Sequence, residues 1–297
     1  MKVAVVGAGA IGLLVTYHVV KSGIDVLLLT RTKAQADLIA EHGIGCIDRS
    51  RQRDRVFVRA IATEAAFKLD DVDVVIFTVK SYQLRAALEQ LRLTSQAVLF
   101  LQNGMGHVSL FDTLQVPTIA VGVVEHGALR EDEMTVRHTG VGKIRWSYVR
   151  KETDPFTPLF ATVSSQQFPI NYEADWKEML ETKLIINACI NPLTALFKVK
   201  NGMLIENEHF KQMMRALFLE VVDVLGRQDQ ERLWELVTAV CKNTAENRSS
   251  MLVDCEEKRK TEVDSILGYV IEKGKNRKKT PLTTFLYHGL KAIEGDS

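Results

Sequence analysis

Short apolar runs alternate with polar stretches over the first part of the chain, up to residue 170 or so. Six of these runs are rich in β-branched residues, and they read KVAVV, VLLLT, RVFVRAI, DVVIFTV, AVLFLQ and TIAVGVV. Strands that alternate with helical or loop stretches are typical of a parallel, doubly wound sheet. Two later runs, EMTVRHTG and GKIRWSYV, leave no room for a helix between them, so they predict an antiparallel addition at one edge of the sheet.

After this point the apolar positions recur at the spacing of helices. The segments that predict helices are WKEMLETKLIINACI, HFKQMMRALFLEVVDVLG, ERLWELVTAVCKNTAEN, EVDSILGYVIEKGK and PLTTFLYHGLKAI. We therefore predict an α/β domain over residues 1–169, followed by an all-α domain over residues 170–297.

One of these helices carries a polar stripe on an otherwise apolar surface. Lys183, Asn187 and Asn191 are spaced four residues apart, which places them on one narrow face of a helix. A helix that is apolar nearly all round is buried, and buried polar groups need partners. Either a ligand lies opposite the stripe, or the Lys183 ammonium reaches water from the start of the helix. Pro192 disfavours helical geometry at Asn191, so the sequence predicts a kink or a new helix start there.

Composition excludes several classes of partner. The 297 residues are 46% hydrophobic and 25% charged, with a formal net charge of +1, as in ordinary soluble globular proteins. Binding to nucleic acid or to an anionic membrane normally requires a basic excess. No apolar run approaches the ~18 residues that span a bilayer, and the glycines near the N-terminus argue against a signal peptide. We expect a cytoplasmic protein that binds neither nucleic acid nor membrane.

The cysteines and histidines give no indication of a metal site. The four cysteines are widely spaced without a C-x-x-C pair, and the seven histidines form no H-E-x-x-H cluster. We expect no metal, and reduced, mostly buried thiols of the kind found in cytoplasmic proteins.

A glycine pattern at the N-terminus predicts a dinucleotide site. Gly7, Gly9 and Gly12 have G-x-G-x-x-G spacing, directly after a predicted strand and at the opening of a predicted helix. The first glycine allows the tight turn, the second lets the backbone approach a pyrophosphate, and the third lets helix and strand pack closely. The alternative is a glycine-rich turn without a ligand. The cofactor-binding residues predicted here are Gly7, Ala8, Gly9, Ala10, Ile11 and Gly12.

The end of the second strand indicates which dinucleotide is bound. An NAD enzyme usually has an acidic residue there, which accepts hydrogen bonds from the ribose. Here the strand ends in Thr30 and Arg31, with Lys33 close by. A guanidinium suits the 2′-phosphate of NADPH, so we predict NADPH rather than NADH. The alternative is that Arg31 is only a surface cation.

Two further strand ends carry polar residues, namely Thr78, Lys80 and Gln83 after DVVIF, and Gln102, Asn103 and Gly104 after AVLFL. Ligands of open α/β sheets bind outside the carboxyl ends of the strands. Taken singly, each residue is ordinary for an exposed turn. Together, beside a dinucleotide motif, they predict a role in cofactor or substrate binding.

The order of motifs resembles that of one family. G-A-G-A-I-G, T-V-K, Q-N-G, K-x-x-x-N-x-x-x-N-P-L-T-A, a following N-G, A-E-N-x-S-S-M and T-E-V-D occur in this order over nearly the whole chain, as in the ketopantoate reductases (2-dehydropantoate 2-reductases). The resemblance implies a Rossmann domain followed by a helical domain similar to that of 6-phosphogluconate dehydrogenase. It also implies reduction of 2-dehydropantoate to (R)-pantoate with NADPH, for pantothenate and coenzyme A synthesis, and it leaves a homodimer open.

The resemblance also assigns roles to individual residues. Lys183 matches the general acid, and Glu262 matches the glutamate that holds the substrate hydroxyl. The substrate-binding residues that it implies are Asn103, Asn187, Asn191, Asn201 and Ser250. It places Arg31, Lys80 and Asn103 near the cofactor, and Asn247 and Asp254 are further candidates.

These roles agree with the chemistry of the residues. Hydride addition to a ketone places negative charge on the carbonyl oxygen, which a poised donor stabilises and then protonates. Burial lowers the pKa of a lysine towards working pH, and an ionised glutamate only accepts hydrogen bonds. Ser250 and Glu262 would lie about 18 Å apart on one straight helix, so we predict a turn or helix start at NRSSML instead.

Two other functions remain open at this point. One is reduction of a different 2-keto acid or imine on the same architecture. The other is a catalytically silent protein that senses NADPH, against which the presence of both Lys183 and Glu262 argues. The segment at residues 48–60, DRSRQRDRVFVRA, carries more charge than the family resemblance suggests, and its role is open.

Overall fold

The computed structural model describes residues 1–63, 69, 71–275 and 277–295. The chain forms two compact units, the first of Met1–Gln102 with Ser109–Met179 and the second of Asn103–Val108 with Leu180–Ser297. The short segment that follows Gln102 therefore belongs to the helical unit by its contacts. The boundary between folding domains that we predict from the sequence, at residue 169, stays a proposal.

The first unit contains all the strands of the two sheets. Its strands are β1 (Lys2–Val6), β2 (Asp25–Thr30), β3 (Ile44–Ile47), β4 (Arg53–Val56), β5 (Arg59–Ala62), β6 (Val74–Phe77), β7 (Ala97–Phe100), β8 (Thr118–Val124), β9 (Gly127–Arg130), β10 (Thr135–Gly140), β11 (Ile144–Lys151) and β12 (Ile170–Tyr172). Its helices are α1 (Ala10–Lys21), α2 (Lys33–His42), α3 (Leu84–Leu91) and α4 (Phe156–Val163).

The main sheet has eight strands in the order β12-β11-β8-β7-β6-β1-β2-β5. Every neighbouring pair from β8 to β5 is parallel, which confirms the predicted doubly wound sheet. The central strands β6 and β7 are buried along their whole length, because both faces of a parallel sheet are covered.

Only one of the two segments predicted to extend the edge of the main sheet does so. GKIRWSYV forms β11, which runs antiparallel to β8 in the main sheet, as expected. EMTVRHTG forms β10 instead in a second sheet with the order β4-β3-β10-β9, so its predicted place was wrong. The run RVFVRAI likewise divides between β4 in the small sheet and β5 in the main sheet, with Phe57 69% exposed between them. A strand pattern predicts an extended segment but not its partner.

The charged segment at residues 48–60 contains the edge strand β4, which is tied to α1 through Asp54. The Tyr17 hydroxyl donates to Asp54 Oδ2 at 2.6 Å, and Lys21 Nζ lies 2.5 Å from the same oxygen. Hydrogen bonds from Lys21 and Tyr17 lower the pKa of Asp54 to about 2, so the carboxylate stays ionised. Part of the unusual charge of this segment thus anchors the small sheet.

Three histidines pack together beside Phe168. His126 Nδ1 lies 3.0 Å from His138 Nε2, and the rings of His18 and His126 stack on Phe168 with centroid distances of 4.1 and 4.6 Å. Burial lowers the pKa of His18 to about 3 and that of His126 to about 4, and it lowers the pKa of His138 as well. All three are therefore neutral at physiological pH.

The second unit is built from helices. They are α5 (Trp176–Phe197, whose first turn belongs to the first unit), α6 (Met203–Glu206), α7 (Glu208–Leu225), α8 (Gln230–Asn243), α9 (Ser250–Glu256), a π-helical turn (Asp264–Gly268), α10 (Tyr269–Gly274) and α11 (Pro281–Glu294). All five predicted helical segments are confirmed. Within the described ranges, no helix is both long and apolar enough to cross a lipid bilayer.

The helix α5 continues through Pro192, so the predicted departure of Asn191 from helical geometry was wrong. A proline removes one intrahelical hydrogen bond, here the one to the Ala188 carbonyl. The Thr194 hydroxyl lies 2.9 Å from the Ile190 carbonyl oxygen and 3.0 Å from that of Asn191, which offers these carbonyls a donor. Ala188, Ile190 and Leu193 are all buried, so packing outweighs the local preference of the proline.

Candidate active site

The glycine turn between β1 and α1 has the geometry that a dinucleotide requires. Gly7 has a φ of +107°, and a Cβ at Gly12 would lie 1.8 Å from the Gly7 carbonyl oxygen, so both positions need glycine. A Cβ at Gly9 would meet no atom within 4 Å, so this position faces open space. The first N–H groups of α1 lack intrahelical partners and can bind a phosphate. The residues present therefore fit a bound dinucleotide.

The side chains of Thr78, which already has a predicted role at this strand end, and of Gln35 hold this turn in place. The Thr78 hydroxyl lies 3.0 Å from the Val6 carbonyl oxygen and 2.9 Å from that of Gly7. Gln35 Nε2, which is buried, donates to the carbonyl oxygens of Ala8 at 3.1 Å and Glu133 at 2.8 Å. The role of Gln35 has no signal in the sequence, because it depends on contacts across the fold.

Arg31 follows β2 and is exposed, with no ion-pair partner among the residues that the structure describes. Lys33 Nζ nearby lies 2.5 Å from Asp37 Oδ2 on the same helix. The guanidinium at the end of β2 is therefore available to a phosphate, whereas Lys33 already has a carboxylate neighbour.

The turn after β6 contains Lys80 and Gln83. Gln83 Oε1 accepts a hydrogen bond from the Lys80 backbone nitrogen at 3.3 Å, and the Gln83 backbone nitrogen donates to the Lys80 carbonyl at 2.9 Å. The carboxamide oxygen of Gln83 thus closes the turn, and the Lys80 side chain is half-buried. A cofactor role for these two residues stays a prediction.

Asn103 contacts Glu262 within the second unit. Asn103 Nδ2 donates to Glu262 Oε2 at 3.0 Å, and Glu262 is only 6% exposed. Gly104 follows with a φ of +76°, and a Cβ there would lie 2.2 Å from the Ser265 carbonyl oxygen. The Q-N-G motif therefore needs its glycine for a close approach of two backbones, and it brings together two residues that the resemblance assigns to the substrate.

Glu262 lies in a bend before the π-helical turn, and both sides of the bend are fixed to α11. The Thr261 backbone nitrogen donates to Glu294 Oε1 at 2.7 Å, and the Tyr287 hydroxyl donates to Asp264 Oδ1 at 2.8 Å. The T-E-V-D motif is thus held by its first and last residues, while its glutamate reaches Asn103.

The polar stripe of α5 is largely removed from solvent. Lys183 is half-buried, and Asn187 and Asn191 are 7% and 8% exposed. Because Asn191 stays helical, all three side chains share one face of α5 as their spacing predicts.

The remaining substrate candidates lie around the start of α9. Ser249, rather than Ser250, caps the helix by accepting a hydrogen bond from the Leu252 backbone nitrogen at 3.1 Å, which leaves the exposed Ser250 hydroxyl clear of the cap. Asn201 Nδ2 donates to Thr244 Oγ1 at 2.8 Å, and the Asn201 backbone nitrogen donates to the Asn247 carbonyl at 3.0 Å. The helix α9 ends before Glu262, which confirms the predicted helix start at NRSSML.

Asp254, a further candidate, forms an ion pair with Arg259, and its role in the site stays a prediction. Arg259 Nε donates to Asp254 Oδ1 at 3.0 Å, and Asp254 is 4% exposed. This ion pair connects the end of α9 to the segment that leads to Glu262.

The four cysteines are free thiols, and burial raises the pKa of Cys46 to about 11 and that of Cys241 to about 12, so neither is a reactive thiolate.

A parallel sheet with a glycine turn that fits a dinucleotide, in a chain that also has a helical unit with a lysine and asparagine stripe, is typical of dinucleotide-dependent oxidoreductases. Residues 3–151 match the family described as ketopantoate reductase PanE/ApbA, and residues 175–294 match its C-terminal part. The chain therefore belongs to the ketopantoate reductase family, as its motifs predict.

Individual relatives agree with this assignment. The chain is 41% identical over 298 residues to the 2-dehydropantoate 2-reductase of Bacillus subtilis (strain 168), which covers 99% of this chain and 98% of the relative. A crystal structure of a probable 2-dehydropantoate 2-reductase from B. subtilis matches with a TM-score of 0.87 and 39% identity, over 99% of this chain and 100% of that chain. A D-mandelate dehydrogenase with NADH and anilino(oxo)acetate has a TM-score of 0.88 but 24% identity, over 99% and 98% of the two chains, and shows the fold alone.

Proposed function

We propose that this chain reduces the ketone of 2-dehydropantoate to give (R)-pantoate, in the synthesis of pantothenate and coenzyme A. The observation that carries the proposal is the contact between Asn103 and the buried Glu262 carboxylate, in the same unit as the stripe of Lys183, Asn187 and Asn191. The full-length similarity to reductases of this substrate supports the same reaction.

Lys183 acts as the general acid in this proposal. Negative charge develops on the ketone oxygen during the reaction, and an ammonium beside that oxygen stabilises the charge and then gives up a proton. The half-buried position of Lys183 suits this role, because partial removal from water strengthens its interaction with the developing charge. Asn187 and Asn191, which are almost fully buried beside it, bind polar groups of the substrate.

Glu262 binds the hydroxyl of the substrate. A carboxylate only accepts hydrogen bonds, so it suits a hydroxyl and repels the substrate carboxylate. Asn103 supplies an amide donor beside it for an oxygen of the substrate, and Ser250, whose hydroxyl is exposed, supplies a donor for the carboxylate. Asn201 is hydrogen-bonded to Thr244 and to the Asn247 carbonyl, which fixes the segment that precedes Ser250.

The reductant in this proposal is NADPH, which supplies the hydride when bound. The residues from Gly7 to Gly12 bind its pyrophosphate, with Gly9 allowing the closest approach. Arg31 is placed after β2, where the ribose phosphate of NADPH is recognised, and its lack of an ion-pair partner among the described residues supports this role. In this proposal Lys80 supplies a second positive charge that contacts the cofactor.

The experiment that tests the proposed function follows NADPH oxidation with two keto acids. Trimethylpyruvate has the carbon skeleton of 2-dehydropantoate without the hydroxyl, so it removes only the group that Glu262 is proposed to bind. We expect a kcat/KM for 2-dehydropantoate at least roughly tenfold higher than for trimethylpyruvate. Equal values would contradict recognition of the hydroxyl and would favour a broader 2-keto acid reductase.

Two properties of the whole protein belong to the same proposal. The free, largely buried thiols suit the reducing cytoplasm, where we propose that the protein acts. We also propose a homodimer, and sedimentation at several protein concentrations would test it, with a single monomeric species as the contradicting result.

A further inference from the structure

Ser265, in the first turn of the π-helical segment, contacts both partners of the Asn103–Glu262 pair. Its hydroxyl oxygen lies 3.1 Å from the Asn103 carbonyl oxygen and 3.0 Å from the Glu262 carbonyl oxygen. Ser265 is 5% exposed, so these contacts are shielded from water. One buried side chain therefore lies against the main chain of two residues that are 159 positions apart.

The backbone of Ser265 forms a second part of the same contact. Its carbonyl oxygen accepts a hydrogen bond from the Met105 nitrogen at 3.0 Å. A Cβ at Gly104 would lie 2.2 Å from that oxygen, and a Cβ at Gly106 would lie 3.3 Å from the Ser265 Cβ. The whole turn from Asn103 to Gly106 thus rests on Ser265, and its glycines allow the close approach.

The Ser265 hydroxyl is the more important donor for the Asn103 carbonyl than for the Glu262 carbonyl. A serine hydroxyl carries one proton and can donate to only one of the two carbonyls at a time. The Glu262 carbonyl already accepts from the backbone nitrogens of Ser265 and Ile266, each at 3.1 Å. Donation to Asn103 therefore satisfies the carbonyl of the turn from which the Asn103 carboxamide reaches Glu262.

We propose that Ser265 is a positioning residue, which fixes the Asn103 carboxamide and the Glu262 carboxylate in the arrangement that selects a hydroxylated keto acid. It does not touch the reacting atoms, and it acts through the two residues that bind the substrate. This inference rests on the proposed function, and specifically on the role of Glu262 in binding the substrate hydroxyl.

The test compares Ser265→Ala with Thr283→Val as a matched control. Thr283 is fully buried in the same unit, and its hydroxyl donates to Glu220 Oε1 at 2.6 Å, away from Asn103 and Glu262. Both variants remove one buried hydroxyl and are expected to lower the melting temperature. For Ser265→Ala we expect the ratio of kcat/KM for 2-dehydropantoate to kcat/KM for trimethylpyruvate to fall about tenfold. Thr283→Val keeps the selectivity of the wild type.

The outcomes separate this inference from the function on which it depends. A wild type that does not prefer 2-dehydropantoate over trimethylpyruvate overturns both. A wild type that prefers it, together with a Ser265→Ala variant that keeps the full preference, overturns the positioning role and leaves the proposed function intact. Equal losses for both keto acids also overturn it, because they indicate a merely structural role.

A second variant covers the case in which Ser265→Ala does not fold. Ser265→Cys retains a weak donor of similar size, so its selectivity should lie between those of the wild type and a protein without the hydroxyl. A Ser265→Cys variant with unchanged selectivity contradicts the inference. Binding of NADPH in the absence of keto acid, measured by fluorescence, should be unchanged in Thr283→Val, whose hydroxyl lies away from Asn103 and Glu262.

Discussion

The side-chain nitrogen of Asn103 donates a hydrogen bond to the Glu262 carboxylate at 3.0 Å, although the two residues are 159 positions apart. Asn103 lies three residues after the end of β7 at Phe100, and Glu262 lies two residues before the π-helical turn that begins at Asp264. The Asn103 amide is a hydrogen-bond donor and the Glu262 carboxylate is an acceptor. A substrate can therefore place an oxygen acceptor against Asn103 and a hydroxyl against Glu262.

Glu262→Gln should weaken selection for the substrate hydroxyl while preserving the shape of the side chain. A hydrogen bond to a charged group contributes about 1.5–3 kcal/mol, so we expect kcat/KM for 2-dehydropantoate to fall roughly 10- to 100-fold. Steady-state kinetics would measure the change. Glu272→Gln is the control, because Glu272 is exposed and pairs with Lys275. A loss of the same size in both variants would argue against a specific role for Glu262.

The glycine turn allows folding and cofactor binding to be separated by two substitutions. Gly12→Ala places a Cβ 1.8 Å from the Gly7 carbonyl oxygen, so it should cost about 1–3 kcal/mol of unfolding free energy. Gly9→Ala meets open space and should cost less than about 1 kcal/mol, yet its methyl group should raise the Kd for NADPH roughly tenfold.

Denaturant unfolding and fluorescence titration with NADPH would measure these two effects. If Gly9→Ala bound NADPH as tightly as the wild type, the turn would not lie against the pyrophosphate.

Arg31→Ala should change the preference between the two nicotinamide cofactors. The loss of one charged contact to the ribose phosphate should raise KM for NADPH roughly tenfold or more, with less than about a twofold change for NADH. Arg49→Ala is a suitable control, because Arg49 is also exposed in the first unit. Equal effects of Arg31→Ala on both cofactors would remove the assignment of NADPH.

The histidine cluster predicts loss of stability in mild acid. Burial lowers the pKa of His18 to about 3 and that of His126 to about 4 in the folded protein, whereas an unfolded histidine titrates near 6.5. The unfolded chain therefore binds more protons below pH 6.5, and the stabilisation present above that value is lost as the pH falls towards 4. Each proton changes the unfolding free energy by about 1.4 kcal/mol per pH unit.

Denaturant unfolding at several pH values would test this dependence. His18→Phe keeps a ring against Phe168 but removes one titrating group, so its stability should fall less steeply between pH 6.5 and 4 than that of the wild type. His209→Asn, at an exposed position of α7, should keep the wild-type slope. The same slope in the wild type and His18→Phe would show that His18 does not contribute.

Much of the fold could be predicted from local patterns. The β-branched runs around Val5, Ile76 and Leu99 are buried on both faces of the sheet, and the helical periodicity after residue 174 corresponds to real helices. Two errors have a common cause. The pairing of β10 with β3 and the continuation of α5 through Pro192 are both decided by contacts between segments distant in sequence, which no local pattern contains.

The candidate site shows the same division. The spacing of Lys183, Asn187 and Asn191 predicted their common face, because helical geometry alone determines it. The contact of Asn103 with Glu262, and the roles of Gln35 and Ser265 in holding two turns, arise only when the chain folds. The family resemblance indicated Asn103 and Glu262 as site residues. The roles of Gln35 and Ser265 depend on contacts that no sequence motif contains.

The role of Lys183 as the general acid is the central claim, and one measurement tests it most directly. NADPH oxidation is followed in a single turnover with saturating 2-dehydropantoate for the wild type, Lys183→Ala and Lys177→Ala, an exposed lysine of the same helix. General acid catalysis contributes roughly 100- to 10,000-fold, so the rate for Lys183→Ala should fall by that factor, with NADPH binding and the Lys177→Ala rate unchanged. A Lys183→Ala variant that oxidises NADPH at the wild-type rate would contradict the mechanism.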